Sequence, residues 1–69
     1  MVKIKLSDLM GKYKKSQKDV VEATGIHHTT ISKLYHETIV RIDVSHIDKL
    51  CKFFNCKSQD LIEYIPDEN

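Results

Sequence analysis

Four side chains able to donate hydrogen bonds are spaced to fall on one side of a short helix. They are His28, Thr29, Ser32 and Lys33, and the helix turns the apolar Ile31 and Leu34 to its other side. Lysine is cationic, histidine can gain a proton, and hydroxyl groups both donate and accept hydrogen bonds. This combination suits contact with a polyanion.

Catalytic and metal-binding chemistry has little support in the sequence. The four histidines, His27, His28, His36 and His46, and the two cysteines, Cys51 and Cys56, lack the spacing typical of zinc ligands. No nucleophile lies beside a base, and no glycine-rich phosphate loop occurs. We therefore expect no enzyme activity, no cofactor and no bound metal.

The polar helix is the second of two short helices joined at Gly25. Ser16 is a good N-cap, and Asp19 three residues later completes a variant of the capping box. This pattern predicts a helix from Gln17 to about Thr24, ended by Gly25 in the left-handed conformation. The next helix begins at His27 or His28 and ends near His36. Such a pair crosses steeply and leaves the first turn of the later helix pointing outward.

Apolar spacing predicts the remaining elements. Val2 and Ile4 alternate with lysines, which predicts a short strand or an extended arm over residues 1–5. A first helix carries the stripe Leu6, Leu9, Met10 and Tyr13, and a fourth carries Ile47, Leu50, Cys51 and Phe54. Residues 37–41 are predicted to be a loop, and Asp43 or Ser45 caps the fourth helix. Ser58 caps a fifth helix that turns Leu61, Ile62 and Ile65 inward, and residues 67–69 form a tail.

Composition favours one small all-α domain over residues 1–69. Hydrophobic residues make up 41% of the chain, and only three residues are glycine or proline. Residues 1–41 carry eight basic against four acidic side chains, whereas residues 42–69 carry three against six. A cationic first half again suits a polyanion. With no segment resembling a signal peptide or a membrane span, we expect a cytoplasmic protein.

The sequence resembles the phage repressor and Cro-type helix-turn-helix family. The resemblance runs from about Leu6 to Pro66, and its central stretches are Ser16–Val21, Thr24–Ile26, Thr30–Leu34 and Arg41–Asp43. It implies an all-α, five-helix repressor-type fold with a central helix-turn-helix. It also implies sequence-specific binding of double-stranded DNA, with the third helix in the major groove.

The resemblance also suggests which residues touch DNA. In the family a glutamine at the start of the second helix holds a phosphate, and the loop after the third helix contacts the backbone. These positions correspond here to Gln17, and to His36 and Arg41. The predicted DNA-binding residues are Ser16, Gln17, Lys18, His27, His28, Thr29, Thr30, Ser32, Lys33, His36 and Arg41. Without the resemblance, Gln17 is more simply an exposed first-turn residue.

Together these expectations predict a transcriptional regulator that binds DNA as a homodimer. Two alternatives stay open: a protein-interaction module using the same fold, and an antitoxin that combines both roles. Lys12, Lys14, Lys15 and Lys18 could form a phosphate-facing patch or merely a solvated face. Protonation of His27 and His28 near phosphates would make DNA binding tighter near pH 6 than near pH 8.

Overall fold

The computed structural model describes residues 1–66, so the predicted tail at 67–69 lies outside the described residues. Residues 1–66 form five helices and two short strands. In chain order these are β1 (Val2–Ile4), α1 (Leu6–Tyr13), α2 (Gln17–Thr24), α3 (His28–Tyr35), α4 (Val44–Phe54), α5 (Ser58–Leu61) and β2 (Ile62–Tyr64). Within this part of the chain, no helix combines the length and the apolar character that crossing a membrane requires.

The core is built mainly from the apolar stripes that the sequence predicts, although Tyr13 of the first stripe is 42% exposed. Every helix contributes a buried side chain, and β1 and the turn before α3 add one each. Six of these side chains are essentially inaccessible: Leu6, Val20, Ile31, Leu34, Leu50 and Leu61. Leu9, Met10, Ile26, Phe54 and Ile4 complete the core. A core of this size fixes α2 and α3 against the rest of the chain.

The C-terminal segment departs from the expected fifth helix. α5 is one turn long, and Lys57, not Ser58, precedes it as the N-cap. The chain then forms β2, which pairs antiparallel with β1 in the register Val2–Tyr64, Lys3–Glu63 and Ile4–Ile62. Ile65, predicted to face inward, is 38% exposed because the strand carries it past the core. The short strand predicted as one option for residues 1–5 is β1.

Three helices end with a non-glycine residue in the left-handed region. Within residues 1–66 these are Lys14 (φ 54°), Glu37 (φ 57°) and Asn55 (φ 51°). After α3, the N–H of Glu37 donates to Leu34 O and that of Thr38 to Lys33 O, at 3.3 and 2.9 Å. This pair of bonds is a Schellman motif, which usually has glycine at the position of Glu37. It turns the chain sharply away from α3 into the loop 38–43.

Candidate nucleic-acid interface

The N-terminus of α2 is closed by a reciprocal capping box. Asp19 N–H donates to Ser16 Oγ at 3.1 Å, and Ser16 N–H donates to Asp19 Oδ2 at 2.9 Å. The bond from the Ser16 backbone, more than any other contact, holds the pKa of Asp19 below its ordinary value. Asp19 therefore stays ionised at neutral pH, and the first turn of α2, with Gln17 in it, is held rigid.

The turn between α2 and α3 is fixed by local hydrogen bonds and one buried side chain. Gly25 adopts φ 73°, and its N–H donates to Val21 O at 2.9 Å. Thr24 Oγ1 donates to Val20 O at 2.7 Å and accepts from Ile26 N–H at 3.2 Å. Ile26 is 2% exposed and anchors the turn in the core. The angle between the two helices is thus set by this turn.

A histidine caps the N-terminus of α3. The Nδ1 atom of His27 accepts a hydrogen bond from the backbone N–H of Thr29 at 3.2 Å. An accepting Nδ1 carries no proton, so the ring meets the end of the helix with its lone pair. The ring of His28 lies beside it, with centroids 4.3 Å apart and planes tilted by 31°. Two imidazoles therefore sit at the positive end of the α3 dipole.

α3 buries one face and exposes the opposite one. Ile31 and Leu34 are fully buried. The side chains exposed along or next to the helix are His28, Thr29, Lys33 and His36, and the half-buried ones at its flanks are Thr30, Ser32 and Tyr35. At about 100° per residue, Thr29, Ser32, Lys33 and His36 cluster opposite the buried pair. We call these four, together with His28, the exposed polar face of α3.

A first basic groove lies where α1, α2 and α3 meet. Its lining consists of Ser7, Met10 and Gly11 from α1, Tyr35 from α3, and the run from α1 into α2 made of Lys14, Lys15, Ser16 and Gln17. The two lysines follow the end of α1, and Gln17 begins α2. The groove therefore combines two cations with the N-terminus of a helix, an arrangement that favours a phosphate.

A second basic groove lies between α3, the loop 38–43 and the start of α4. Its polar lining includes Thr30, Lys33, Thr38, Arg41 and His46. Asp43 also borders it, but its carboxylate accepts hydrogen bonds from the N–H and hydroxyl of Ser45, both at 2.9 Å. The bond from the Ser45 backbone is the main cause of its lowered pKa.

The two grooves lie on different sides of α3. Thr30 and Lys33 border the second groove, and Tyr35 borders the first. Tyr35 is about 140–160° around the helix from those two residues. The exposed polar face thus lies between two basic grooves, each suited to an anionic backbone.

Comparison with known proteins agrees with this geometry. Residues 5–67 match the model of the Cro/C1-type helix-turn-helix DNA-binding domain. The chain belongs to this family. No curated protein matches the sequence. The fold is similar to that of a crystal structure described as "a putative DNA-binding protein from Bacteroides fragilis", with a TM-score of 0.80. That match has 16% sequence identity and covers 91% of this chain and 100% of the other, so it shows the fold alone.

The predicted contact residues of this family member are distributed over the three surfaces. Ser16 and Gln17 border the first groove, and Thr30, Lys33 and Arg41 border the second. His28, Thr29, Ser32, Lys33 and His36 belong to the exposed polar face, and His27 caps the helix beside it. Lys18 borders neither groove. Its ammonium lies 4.0 Å from Glu22 and is well exposed, which matches a solvated position.

The structure adds residues that the predicted set lacks. Lys14, Lys15 and Tyr35 border the first groove, and Thr38 and His46 border the second. Lys14 and Lys15 belong to the four lysines for which the sequence left open a phosphate-facing patch or a solvated face. His46 offered no signal, because only the packing of α4 against α2 brings it to the groove beside α3. Its Nδ1 atom is buried and has no hydrogen-bond partner within residues 1–66.

The potential metal ligands of residues 1–66 form no recognisable metal centre. In the part of the chain that the structure describes, no group of three or more histidine, cysteine, aspartate or glutamate side chains is placed to hold a metal ion. Cys51 and Cys56 are free thiols, both half-buried. Burial is the main reason that the pKa of Cys56 rises to about 11, so this thiol stays protonated at neutral pH.

Proposed function

We propose that this chain is a transcriptional regulator that binds a specific double-stranded DNA site as a homodimer, with α3 in the major groove. The observation that carries the proposal is the position of the exposed polar face of α3 between two basic grooves. The major groove is about 12 Å wide and admits one helix, and a phosphate backbone runs along each of its edges. Such a regulator would act in the cytoplasm.

The exposed polar face supplies the groups that would contact bases. Lys33 can donate to O6 and N7 of guanine, and the methyl group of Thr29 can contact the methyl group of thymine. Ser32, His28 and His36 add donors and acceptors around them. Because the side chains of Ile31 and Leu34 are locked in the core, α3 presents these groups from a rigid support.

The two grooves would hold the backbones that border the major groove. In the first, Lys14 and Lys15 supply charge and the N-terminus of α2 supplies backbone N–H groups near Gln17. In the second, Arg41 and His46 lie beside Thr30 and Thr38. Phosphate contacts fix the register of the protein on DNA but carry no sequence information directly, so base preference must come from α3.

A dimer follows from the size of the contact surface. α3 has eight residues and a length of about 12 Å, which spans only a few base pairs. One copy therefore makes too few base contacts for useful specificity. Two copies on half-sites about one helical turn apart would double the contacts, as in other helix-turn-helix proteins.

The proposal can be tested by selecting bound duplexes from a random DNA pool with purified protein at near-physiological salt. We expect enrichment of a short site made of two related halves. Lys33→Gln should relax the preference at one position of each half, whereas Lys12→Gln, an exposed lysine that borders neither basic groove, should leave the site unchanged. Recovery of unenriched sequence would contradict the proposal and favour the protein-interaction module.

A further inference from the structure

The two cysteines of the chain lie at the two ends of the turn that follows α4. The N–H of Cys56 donates to Cys51 O at 3.0 Å, and the N–H of Asn55 donates to Lys52 O at 3.3 Å. Asn55 adopts the left-handed conformation, with φ 51°. These two hydrogen bonds form a Schellman motif, the motif that also ends α3. The backbone of this turn therefore fixes the position of both cysteines.

A Schellman motif brings two particular side chains into contact. They belong to the two residues joined by its longer-range hydrogen bond, and in most proteins both are apolar. Here these residues are Cys51 and Cys56. Because their backbones are joined by that bond, their Cα atoms lie no more than about 7 Å apart. A disulfide can bridge such a separation.

The two thiols are also hydrogen-bonded to each other. Burial first, and then the neighbouring sulfur of Cys51, raises the pKa of Cys56 to about 11. Cys56 therefore keeps its proton at neutral pH and donates its S–H to Cys51 Sγ. Both side chains are half-buried and pack against the core without being enclosed by it. The pair thus consists of one sulfur that holds a proton and one that accepts it.

Cys56 borders a surface pocket that gives a small molecule access to the pair. The pocket has a volume of about 280 Å³ and lies between α1, the turn after α4 and α5. Two basic residues, Lys5 and Lys12, and two acidic residues, Asp8 and Asp60, belong to its lining. Because these charges offset each other, the pocket does not favour a charged molecule. Hydrogen peroxide is small and neutral, so it suits this entrance.

We propose that Cys51 and Cys56 form a redox site in which hydrogen peroxide converts the two thiols into a disulfide. Cys51 is the attacking sulfur, because Cys56 keeps its proton. Cys51 Sγ attacks one peroxide oxygen, the O–O bond breaks and one water leaves, so Cys51 becomes a sulfenic acid. Cys56 Sγ then attacks Cys51 Sγ, the S–O bond breaks, and the hydroxide leaves with the thiol proton of Cys56 as a second water. The two sulfurs lose two electrons, which reduce the peroxide.

The disulfide would stabilise the folded chain. The folded state holds the two sulfurs side by side, whereas an unfolded chain brings them together only part of the time. By thermodynamic reciprocity, the bond favours the folded state by the same factor by which folding favours the bond. Neither cysteine lines a basic groove, so the redox site is independent of the proposed DNA contacts.

A first test measures how strongly folding favours the disulfide. The full chain is equilibrated with mixtures of reduced and oxidised glutathione, and the ratio of disulfide to dithiol gives the effective concentration of one thiol at the other. We expect this concentration to be at least about tenfold higher in the folded protein than in protein unfolded by urea. The urea midpoint should rise on oxidation and return after reduction. Equal effective concentrations in the two states would overturn the proposal.

A second test assigns the two steps with matched serine variants. One molar equivalent of hydrogen peroxide should leave the wild type lighter by the mass of two hydrogens. Cys56→Ser keeps the attacking sulfur but lacks the second thiol, so it should accumulate a sulfenic acid that dimedone traps. Cys51→Ser should react at least about tenfold more slowly, because burial still keeps the proton on Cys56. Circular dichroism should show the same helix content for all three proteins.

Three results of the peroxide experiment would overturn the redox site. They are disulfides between chains in place of the bond within one chain, a wild type that gains oxygen atoms without losing the two hydrogens, and equal rates for the two serine variants. None of these results bears on DNA binding. Conversely, a chain that forms the disulfide as expected but enriches no DNA sequence would contradict the proposed function and leave the redox site standing.

Discussion

Glu37 Oε1 accepts the backbone N–H of Ile4 at 3.0 Å, which joins the exit of α3 to the end of β1. The two residues are 33 positions apart, so the bond connects the end of α3 with the sheet. It also accounts for a glutamate at a position where the left-handed backbone favours glycine.

This bond predicts a difference between two substitutions of Glu37. Glu37→Gln keeps an oxygen acceptor and should change the free energy of unfolding by less than about 0.5 kcal/mol. Glu37→Ala leaves the N–H of Ile4 without its partner and should cost about 1–2 kcal/mol. Both variants keep a non-glycine residue at positive φ, so backbone strain cancels between them. Urea unfolding with equal m-values measures the difference, and equal stabilities would show that the bond contributes nothing.

The cap at His27 predicts a difference between two substitutions of this residue. His27→Ser keeps a side-chain acceptor for the N–H of Thr29, whereas His27→Ala removes it. The alanine variant should therefore be less stable than the serine variant by about 1 kcal/mol in urea unfolding. Equal stabilities would show that the cap contributes nothing.

The capping box of α2 predicts loss of stability in acid. The pKa of Asp19 is lowered in the folded state from its ordinary 3.8, chiefly by the backbone N–H of Ser16. Its contribution is fully present above pH 3.8 and is lost as the pH falls through the folded value. Asp19→Asn should therefore show a shallower decline of unfolding free energy between about pH 5 and 2. A decline as steep as that of the wild type would be the contrary result.

The first basic groove predicts which lysines contribute to the salt dependence of DNA binding. Lys15→Gln should reduce the slope of log K against log salt by about 0.9, because one phosphate contact is lost. Lys12→Gln should leave the slope unchanged, since Lys12 borders neither basic groove and lies over the ring of Tyr13. Equal slopes for wild type, Lys15→Gln and Lys12→Gln would show that Lys15 contacts no phosphate and lies on a solvated face.

Local signals explain why α2 and its turn could be predicted from the sequence. Ser16 and Asp19 close the start of α2, and Gly25 ends it, each within four residues of the group it bonds. The apolar spacing of Ile31 and Leu34 likewise determines which side of α3 faces the core. These features depend on contacts along one short stretch of chain.

Non-local contacts explain what the sequence could not predict. The spacing of Leu61, Ile62 and Ile65 fits a helix. In the structure, however, Lys5 N–H donates to Leu61 O at 2.7 Å, and the residues that follow Leu61 pair with β1 and form β2. Pairing with a strand more than 55 residues away therefore determines that this segment is a strand. His46 reaches the second basic groove for the same kind of reason, because α2 packs against both α3 and α4 and so brings the start of α4 to this groove.

The central claim is that α3 enters the major groove between two phosphate backbones, and chemical interference on the selected duplex tests it most directly. Dimethyl sulfate methylates N7 of guanine in the major groove and N3 of adenine in the minor groove. We predict that N7 methylation within each half-site blocks binding, that N3 methylation there does not, and that ethylated phosphates interfere on both sides of the N7 positions. Interference from N3 methylation alone, or from phosphates without any base, would contradict the claim.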